Sequence, residues 1–348
     1  MADRRSKRLC KLSYAVSELG KILNVGRSDV KIKQRGKTEA LAIVAALIVC
    51  VAFASFVVVS YQLDWAGADS GRQTSDTTAE SVQVGKEELV AYALSLINSD
   101  RQASNAPNVT LSPVASAQKH AEDMLKNSFF SHWNIEGYKP YVRYTLAGGR
   151  GAVNENIAAQ FGSSLDPKAA IRDLEWSMMH DDAESDWGHR NNILDAFHNR
   201  VSIGIAYDND SFYLVQDFED AYVEWTTLSS SNSAAILAGK FTSSDLTIRQ
   251  VDIYFDDWLN LTTNYLEDAP YNGSYNSGKF VGSVAGFELV LTEGIFSPAR
   301  DWSQSGQSFQ ISFGLDTFFS RFGKGIYTLR LFSDSGECLT DFSIFNSD

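Results

Sequence analysis

Cysteine is scarce in this chain. Three occur in 348 residues, Cys10, Cys50 and Cys338, too few and too widely spaced for a disulfide framework. Histidine is scarce as well, so imidazole chemistry has only His120, His132, His180, His189 and His198 to draw on. No G-x-S-x-G element occurs, which removes the nucleophile elbow of one large class of serine hydrolases. The stretch GGRG at 148–151 has too little of a phosphate-loop pattern and reads as a turn. No internal repeat period is visible. Basic residues are also few outside the N-terminus. Residues 1–38 carry eleven Lys/Arg against three Asp/Glu, a balance of +8, so the formal net charge of −13 leaves the remainder near −21. Nucleic-acid binding depends on Lys and Arg neutralising phosphates, and the acidic remainder argues against it.

One long uncharged run is present. Residues 40–61, ALAIVAALIVCVAFASFVVVSY, hold 22 residues without a charge, enough for a helix to cross a hydrocarbon core of about 30 Å. A buried core helix of this length would show a polar stripe, and a cleaved signal peptide would have a shorter apolar core and leader. The expectation is a single transmembrane helix. The basic flank before it places residues 1–39 in the cytoplasm and the acidic remainder outside the cell. On that topology the three cysteines lie inside, within and outside the bilayer, so no intrachain disulfide forms. An outer region without disulfides suits a prokaryotic surface protein. Leu12, Val16, Leu19, Ile22 and Leu23 recur at helical spacing within the tail, readable as a lipid-lying helix or as a solvated basic tail. Residues 62–85 are rich in Ser, Thr, Gly and Asp and read as a flexible linker.

Globular patterning begins at residue 86. KEELVAYALSLIN places Leu89, Ala93, Leu96 and Ile97 on one helical face. A second helix is expected from Pro113 to Asn127 behind Ser112, and a third from Pro167 to Met179 with Asp166 as its cap. VSIGIAYDNDSFYLVQDF at 201–218 reads as a hairpin turning at Asp208–Asp210. Together, 86–222 read as an α+β layer domain. Ser229–Ser233 reads as a break. Beyond it, 230–348 show short alternating or apolar runs, including a terminal hairpin around Asp334-Ser335-Gly336, and no helical period. This predicts a separate all-β, sandwich-like domain.

Several short motifs follow one another in 86–222: KHAEDM (119–124), FFSHW (129–133) with Gly137, Pro140 and Arg143 after it, NENIA (154–158), Trp176, GHRNNIL (188–194) and YLVQDF (213–218). In order and spacing they resemble the CAP superfamily, or SCP domains (cysteine-rich secretory proteins, antigen 5, pathogenesis-related 1), in its disulfide-free microbial branch. The resemblance implies an α-β-α sandwich with a cleft lined in many members by two His and two Glu that hold a divalent metal. It assigns the first His to His132, the first Glu to Glu155 and the second His to His189. The second Glu falls three residues after Trp176, where this chain has Met179. Glu184, just ahead of His189, is a substitute.

Read from the residues alone, two imidazoles and a carboxylate fit a zinc-like or magnesium ion with water in an open position, or a hydrogen-bonded polar cluster without metal. His120 reads as a satisfied core histidine, and His180 and His198 as surface residues. Cys338 reads as a strand residue and not a catalytic thiol. Sequons at Asn108, Asn209, Asn260 and Asn272 are glycosylation candidates. Three functions remain open. The first is a non-catalytic, membrane-tethered extracellular module that binds a small apolar ligand, an envelope component or a protein. The second is a metal-dependent extracellular peptidase using His132, Glu155 and His189. The third is a structural envelope spacer.

Overall fold

A computed structural model describes residues 85–231, 233–257 and 273–347 of the chain. The predicted cytoplasmic tail (1–39), transmembrane helix (40–61) and nearly all of the linker, with Cys10, Cys50, Asn260 and Asn272, lie outside the described residues. Among the described residues no helix is long and apolar enough to cross a membrane. Residues 81–348 form one compact unit of mixed α/β composition.

The N-terminal half opens with α1 (Lys86–Ala103), a short β1 (Thr110–Leu111), α2 (Ser116–Asn127) and α3 (Pro140–Leu146). It continues through β2 (Ala152–Phe161), α4 (Pro167–His180), a 3₁₀ turn (Ala183–Ser185), α5 (Gly188–Leu194), β3 (Arg200–Tyr207) and β4 (Ser211–Asp220). The strands form one sheet in the order β1-β3-β4-β2, with β1 parallel to β3 and the other pairs antiparallel. Period-two alternation along β4 sends Phe212, Leu214 and Phe218 toward one face, where they pack with Leu89, Ala93 and Ile97 of α1 and Ile171, Met178 and Met179 of α4. Tyr213 and Val215 face the other way and pack with Ala117, Ala121 and Met124 of α2. Each face is therefore covered by helices, giving an α-β-α layering. Gly204 on β3 is where α2 comes closest. A Cβ there would stand 2.1 Å from the Ala117 carbonyl oxygen, so only glycine permits this approach.

Two local expectations are corrected. The second helix begins at Ser116, not Pro113. Ser112 continues the extended edge, donating its backbone N–H to Val201 and its hydroxyl to Glu219 at 2.7 Å, which removes it as a helix cap. A residue before proline is held in this extended conformation in any case. The third helix runs one residue further, to His180, with Asp166 capping Ala169 as expected.

The C-terminal half contains two sheets. The first is built from β5 (Val223–Ser231), β6 (Ala234–Phe241), β10 (Asp301–Ser305) and β11 (Ser308–Gly314), in the order β10-β11-β6-β5. The second is built from β7 (Ile248–Asp256), β8 (Lys279–Ala285), β9 (Ile295–Pro298), β12 (Gly325–Ser333) and β13 (Cys338–Asn346), in the order β13-β12-β7-β8-β9. Leu237, Phe309 and Ile311 of the first and Val251, Ile253, Val281 and Leu329 of the second share one hydrophobic core. The serine tract is not a break. Ser229–Ser231 end β5 and pair with Ala234–Ile236, because β5 is an outer strand whose free face accepts polar side chains. The β-rich region thus begins at Val223. A short helix, α6 (Asp316–Phe322), was also not expected. Seven residues give too few turns to show a period.

The two halves are fastened at β2, the edge of the first sheet. Its Val153 N–H donates to Asp341 Oδ2 at 3.1 Å and its Glu155 N–H to the Tyr275 hydroxyl at 3.0 Å. Thr340 Oγ donates to the Arg150 carbonyl at 2.7 Å, and Lys139 Nζ lies 2.6 Å from Asp256 Oδ1. Side chains of the β-rich half thereby cap backbone donors that an open sheet edge would leave to water.

Candidate cleft between the sheet edge and α5

Glu155 and Asp217 are direct partners across β2 and β4, so their side chains project to the same face, toward α2. Both are buried. Glu155 Oε1 accepts from His132 Nδ1 at 2.8 Å and Oε2 accepts from Arg143 Nη2 at 2.7 Å. Asp217 accepts from the Ser116 hydroxyl. The Arg143 guanidinium bonds Glu155 alone, while its charge also acts on Asp217. Burial, then the charge of Glu155, holds the Asp217 carboxyl well above its usual range. Burial also raises Glu155, with Arg143 opposing. Asp217 is therefore the neutral partner, and Glu155 carries the charge that Arg143 balances.

His132 follows α2, whose last turn is closed by Ser128 in the left-handed conformation. Burial first, then Arg143 and His189, push its imidazole down to about 3, against the pull of Asp217. The ring is neutral and donates from Nδ1 to Glu155, which leaves Nε2 for the cavity. His189 sits in the first turn of α5. Its Nδ1 lies 2.6 Å from Asp182 Oδ1, and Asp182 Oδ2 accepts the Arg190 N–H at 3.0 Å. Both imidazoles are thus fixed by a carboxylate on the same ring nitrogen.

Two buried side chains, Arg101 and Asn156, hold α5 in place. Arg101, fully buried, donates to the carbonyls of Ile193, Asp195 and His198, satisfying groups left open at the helix end. Asn156 Nδ2 donates to the His189 carbonyl and its Oδ1 accepts from Asn192. Behind Asn156, Gln216 Nε2 donates to Glu175 Oε2 on α4 at 2.5 Å. Burial pushes this Glu175 carboxyl up to about 8.

His132, Glu155, His189 and Glu184 all line one cavity of about 640 Å³. Tyr275, Ser274 and Gly273 of the β-rich half close it on another side. The Tyr275 ring lies 4.9 Å from that of His132, and burial raises its phenol. Met179, at the position of the missing second Glu, points into the α1–α4 core. The carboxylate serving His189 is Asp182, three residues beyond Met179, and not Glu184, which sits exposed on the 3₁₀ turn.

Among the described residues no group of three His, Cys, Asp or Glu is arranged to hold a metal. The donor set explains this. Glu155 has both oxygens engaged, so two imidazole nitrogens remain where a catalytic zinc site takes three protein ligands.

The other histidines sort as follows. His120 is buried, with Nε2 bonded to the Ser131 carbonyl at 2.8 Å, as expected of a core histidine. His180 is exposed beside Trp176. His198, expected at the surface, is buried between Asp220 and Asn192 at 2.6 and 2.9 Å. Its two-sided bonding makes burial affordable for a polar ring. Cys338 is a free thiol opening β13, raised by burial and far from reactive. Asn108 and Asn209 are exposed.

Arg143 and Asp217 were visible in the quoted motifs but carried no assigned role. Asp182 belongs to the acidic stretch DDAESDW at 181–187, where no motif singles it out from its neighbours. Tyr275 had no local signal at all.

Residues 94–218 match the model of the CAP family, described as the cysteine-rich secretory protein family. No curated protein matches the chain. Among solved structures, an extracellular protein containing an SCP domain from Bacillus anthracis str. Ames is 21% identical over 39% of this chain and 44% of its own, with a TM-score of 0.31. The CAP domain of Enterococcal PrgA is 16% identical over 38% of this chain and 61% of its own, at 0.29. NaASP2, crystallised with Zn2+, is 15% identical over 40% of this chain and 82% of its own, at 0.29. The aligned region spans less than half the length of the Bacillus protein.

Proposed function

We propose that the chain, whose residues 94–218 match the CAP family model, is an extracellular binding module, tethered to the membrane through residues 40–61, whose cleft recognises a ligand without transforming it. One observation carries the reading. Glu155, the residue a hydrolytic mechanism would use as base, spends one oxygen on His132 and the other on Arg143. A base needs an oxygen turned toward the proton it abstracts, and both oxygens of Glu155 are turned to donors of the protein itself. Both imidazoles are locked by carboxylates, which suits fixed recognition groups on a rigid wall. The test incubates the purified full-length chain with peptide substrates, beside His132→Ala/His189→Ala. No turnover above the double variant is expected. Cleavage that disappears in the double variant would overturn the reading.

A second reading has one specific support. A carboxylate on Nδ1 of each imidazole is the arrangement that orients metal-ligating histidines. Two outward Nε2 atoms offer a partial site for a zinc-like ion. Titration calorimetry is expected to show weak zinc binding that vanishes in the double variant, and no magnesium binding, because magnesium demands oxygen ligands. Zinc heat unchanged in the double variant would refute this.

A further inference from the structure

The lining of the cleft restricts the chemistry of what enters it. No Lys or Arg is among its described lining residues. The nearby guanidiniums are committed elsewhere. Arg143 is behind Glu155, and Arg190 lies over the Trp187 ring at 5.6 Å. The charged groups that do line it, Glu155, Glu184 and Asp195, are all acidic. A phosphate, sulfate or uronate would enter unpaired and repelled.

An apolar ligand fits no better. Asn154, Asn191, Ser185 and Ser274 line the cavity as exposed residues. Covering their amides and hydroxyls with hydrocarbon would remove water without supplying partners. Because Glu155 is already paired with Arg143, a cationic peptide has, among the described lining residues, only Glu184 and Asp195 to meet. Both are exposed at the surface, where ion pairs contribute little.

What the lining does offer is neutral. Amides and hydroxyls each combine donor and acceptor capacity. Phe130 lines the cavity with 45% of its surface exposed. Trp187, next to lining residue Gly188 at the rim, is 40% exposed and carries Arg190 over its ring. It is held at φ 61° directly after Asp186 at φ 51°, a left-handed conformation unusual for a bulky ring and of the kind that concentrates at functional sites. The exposed ring of Phe130 beside these amides matches a pyranose, which has an apolar face of C–H groups and an equator of hydroxyls. A cavity of about 640 Å³ has the size of an ordinary ligand pocket.

We propose that the cleft binds a neutral, polyhydroxylated chain: an uncharged glycan. This rests on the reading of the cleft as a binding site and names its ligand class. The test is calorimetry of the purified full-length chain against chitotetraose, maltotetraose, tetragalacturonate and tetralysine. At least one neutral tetrasaccharide is expected to bind, with tetragalacturonate about tenfold weaker or absent. Asn154→Ala and Asn191→Ala, both at exposed positions outside the core, are each expected to weaken saccharide binding about threefold to tenfold. Failure of both neutral tetrasaccharides overturns the assignment, as does equal binding of the anionic or cationic probe. So does saccharide binding undiminished in both amide variants. A zinc heat lost in His132→Ala/His189→Ala would, in those cases, still leave the cleft a binding site and separate the two failures.

Discussion

Glu175 offers the most direct test of the electrostatics beneath the cleft. It is 2% exposed, accepts from Gln216, and is pushed by burial from 4.5 up to about 8, with Asp100 adding to the rise. A carboxyl raised in the folded state stabilises nothing at neutral pH. Between about pH 4.5 and pH 8 the unfolded chain has released this proton while the folded chain keeps it, so stability falls as pH rises through that window. The loss is about 1.4 kcal/mol per pH unit, or about 3 kcal/mol by pH 7. Glu175→Gln supplies a permanently neutral isostere. Its amide oxygen still accepts from Gln216, while its NH₂ group replaces an oxygen that has no partner, at a cost of about 1 kcal/mol. The variant is therefore expected to be about 2 kcal/mol more stable than wild type near pH 7 and no more stable near pH 5. Urea unfolding at the two pH values, followed by tryptophan fluorescence, measures the difference. A stability difference that does not change with pH would refute the reasoning, because it would mean that Glu175 is ionised in the folded chain.

Other perturbations probe the same framework. Glu155→Gln is expected to be tolerated because Asp217 ionises in its place beside Arg143. The double variant Glu155→Gln/Asp217→Asn leaves that buried guanidinium unpaired and should lose about 3–5 kcal/mol, more than the sum of the single variants in a denaturation cycle. Tyr275→Phe removes the acceptor for the buried Glu155 N–H and should cost about 1–3 kcal/mol in urea unfolding. Gly204→Ala forces a methyl group against the Ala117 carbonyl and should cost about 3 kcal/mol, measured by the same assay. Asp182→Ala frees the His189 ring and should weaken zinc binding about tenfold or more in calorimetry, with little change in fold by circular dichroism.

Much of the molecule follows from local pattern. The alternation of Phe212, Tyr213, Leu214 and Val215 gives β4 two buried faces, which requires helices on both sides. The spacing of Leu89, Ala93 and Ile97 supplies one of those helices. The motif order from KHAEDM to YLVQDF is borne out by the match of 94–218 to the CAP family. These features depend on backbone periods of two and 3.6 residues, which any short window of sequence contains.

Other features required the tertiary structure. Whether Asp182 or Glu184 serves His189 depends on how the 3₁₀ turn orients two carboxylates only two positions apart. That Met179 faces the core and not the cleft depends on the rotation of α4 over the sheet. The pairing of Glu155 with Asp217 comes from strand register, and a one-residue slip would send one of them to the opposite face. Tyr275 reaches His132 only because the β-rich half caps the free N–H groups of β2. Nothing within 273–276 announces that contact, since its partners lie more than a hundred residues earlier in the chain. The sequence by itself determined the main helices and the β3–β4 hairpin of 86–222 and the family motifs they carry. The tertiary structure decided which carboxylate meets which imidazole, because those meetings depend on register, helix rotation and the docking of one half on the other.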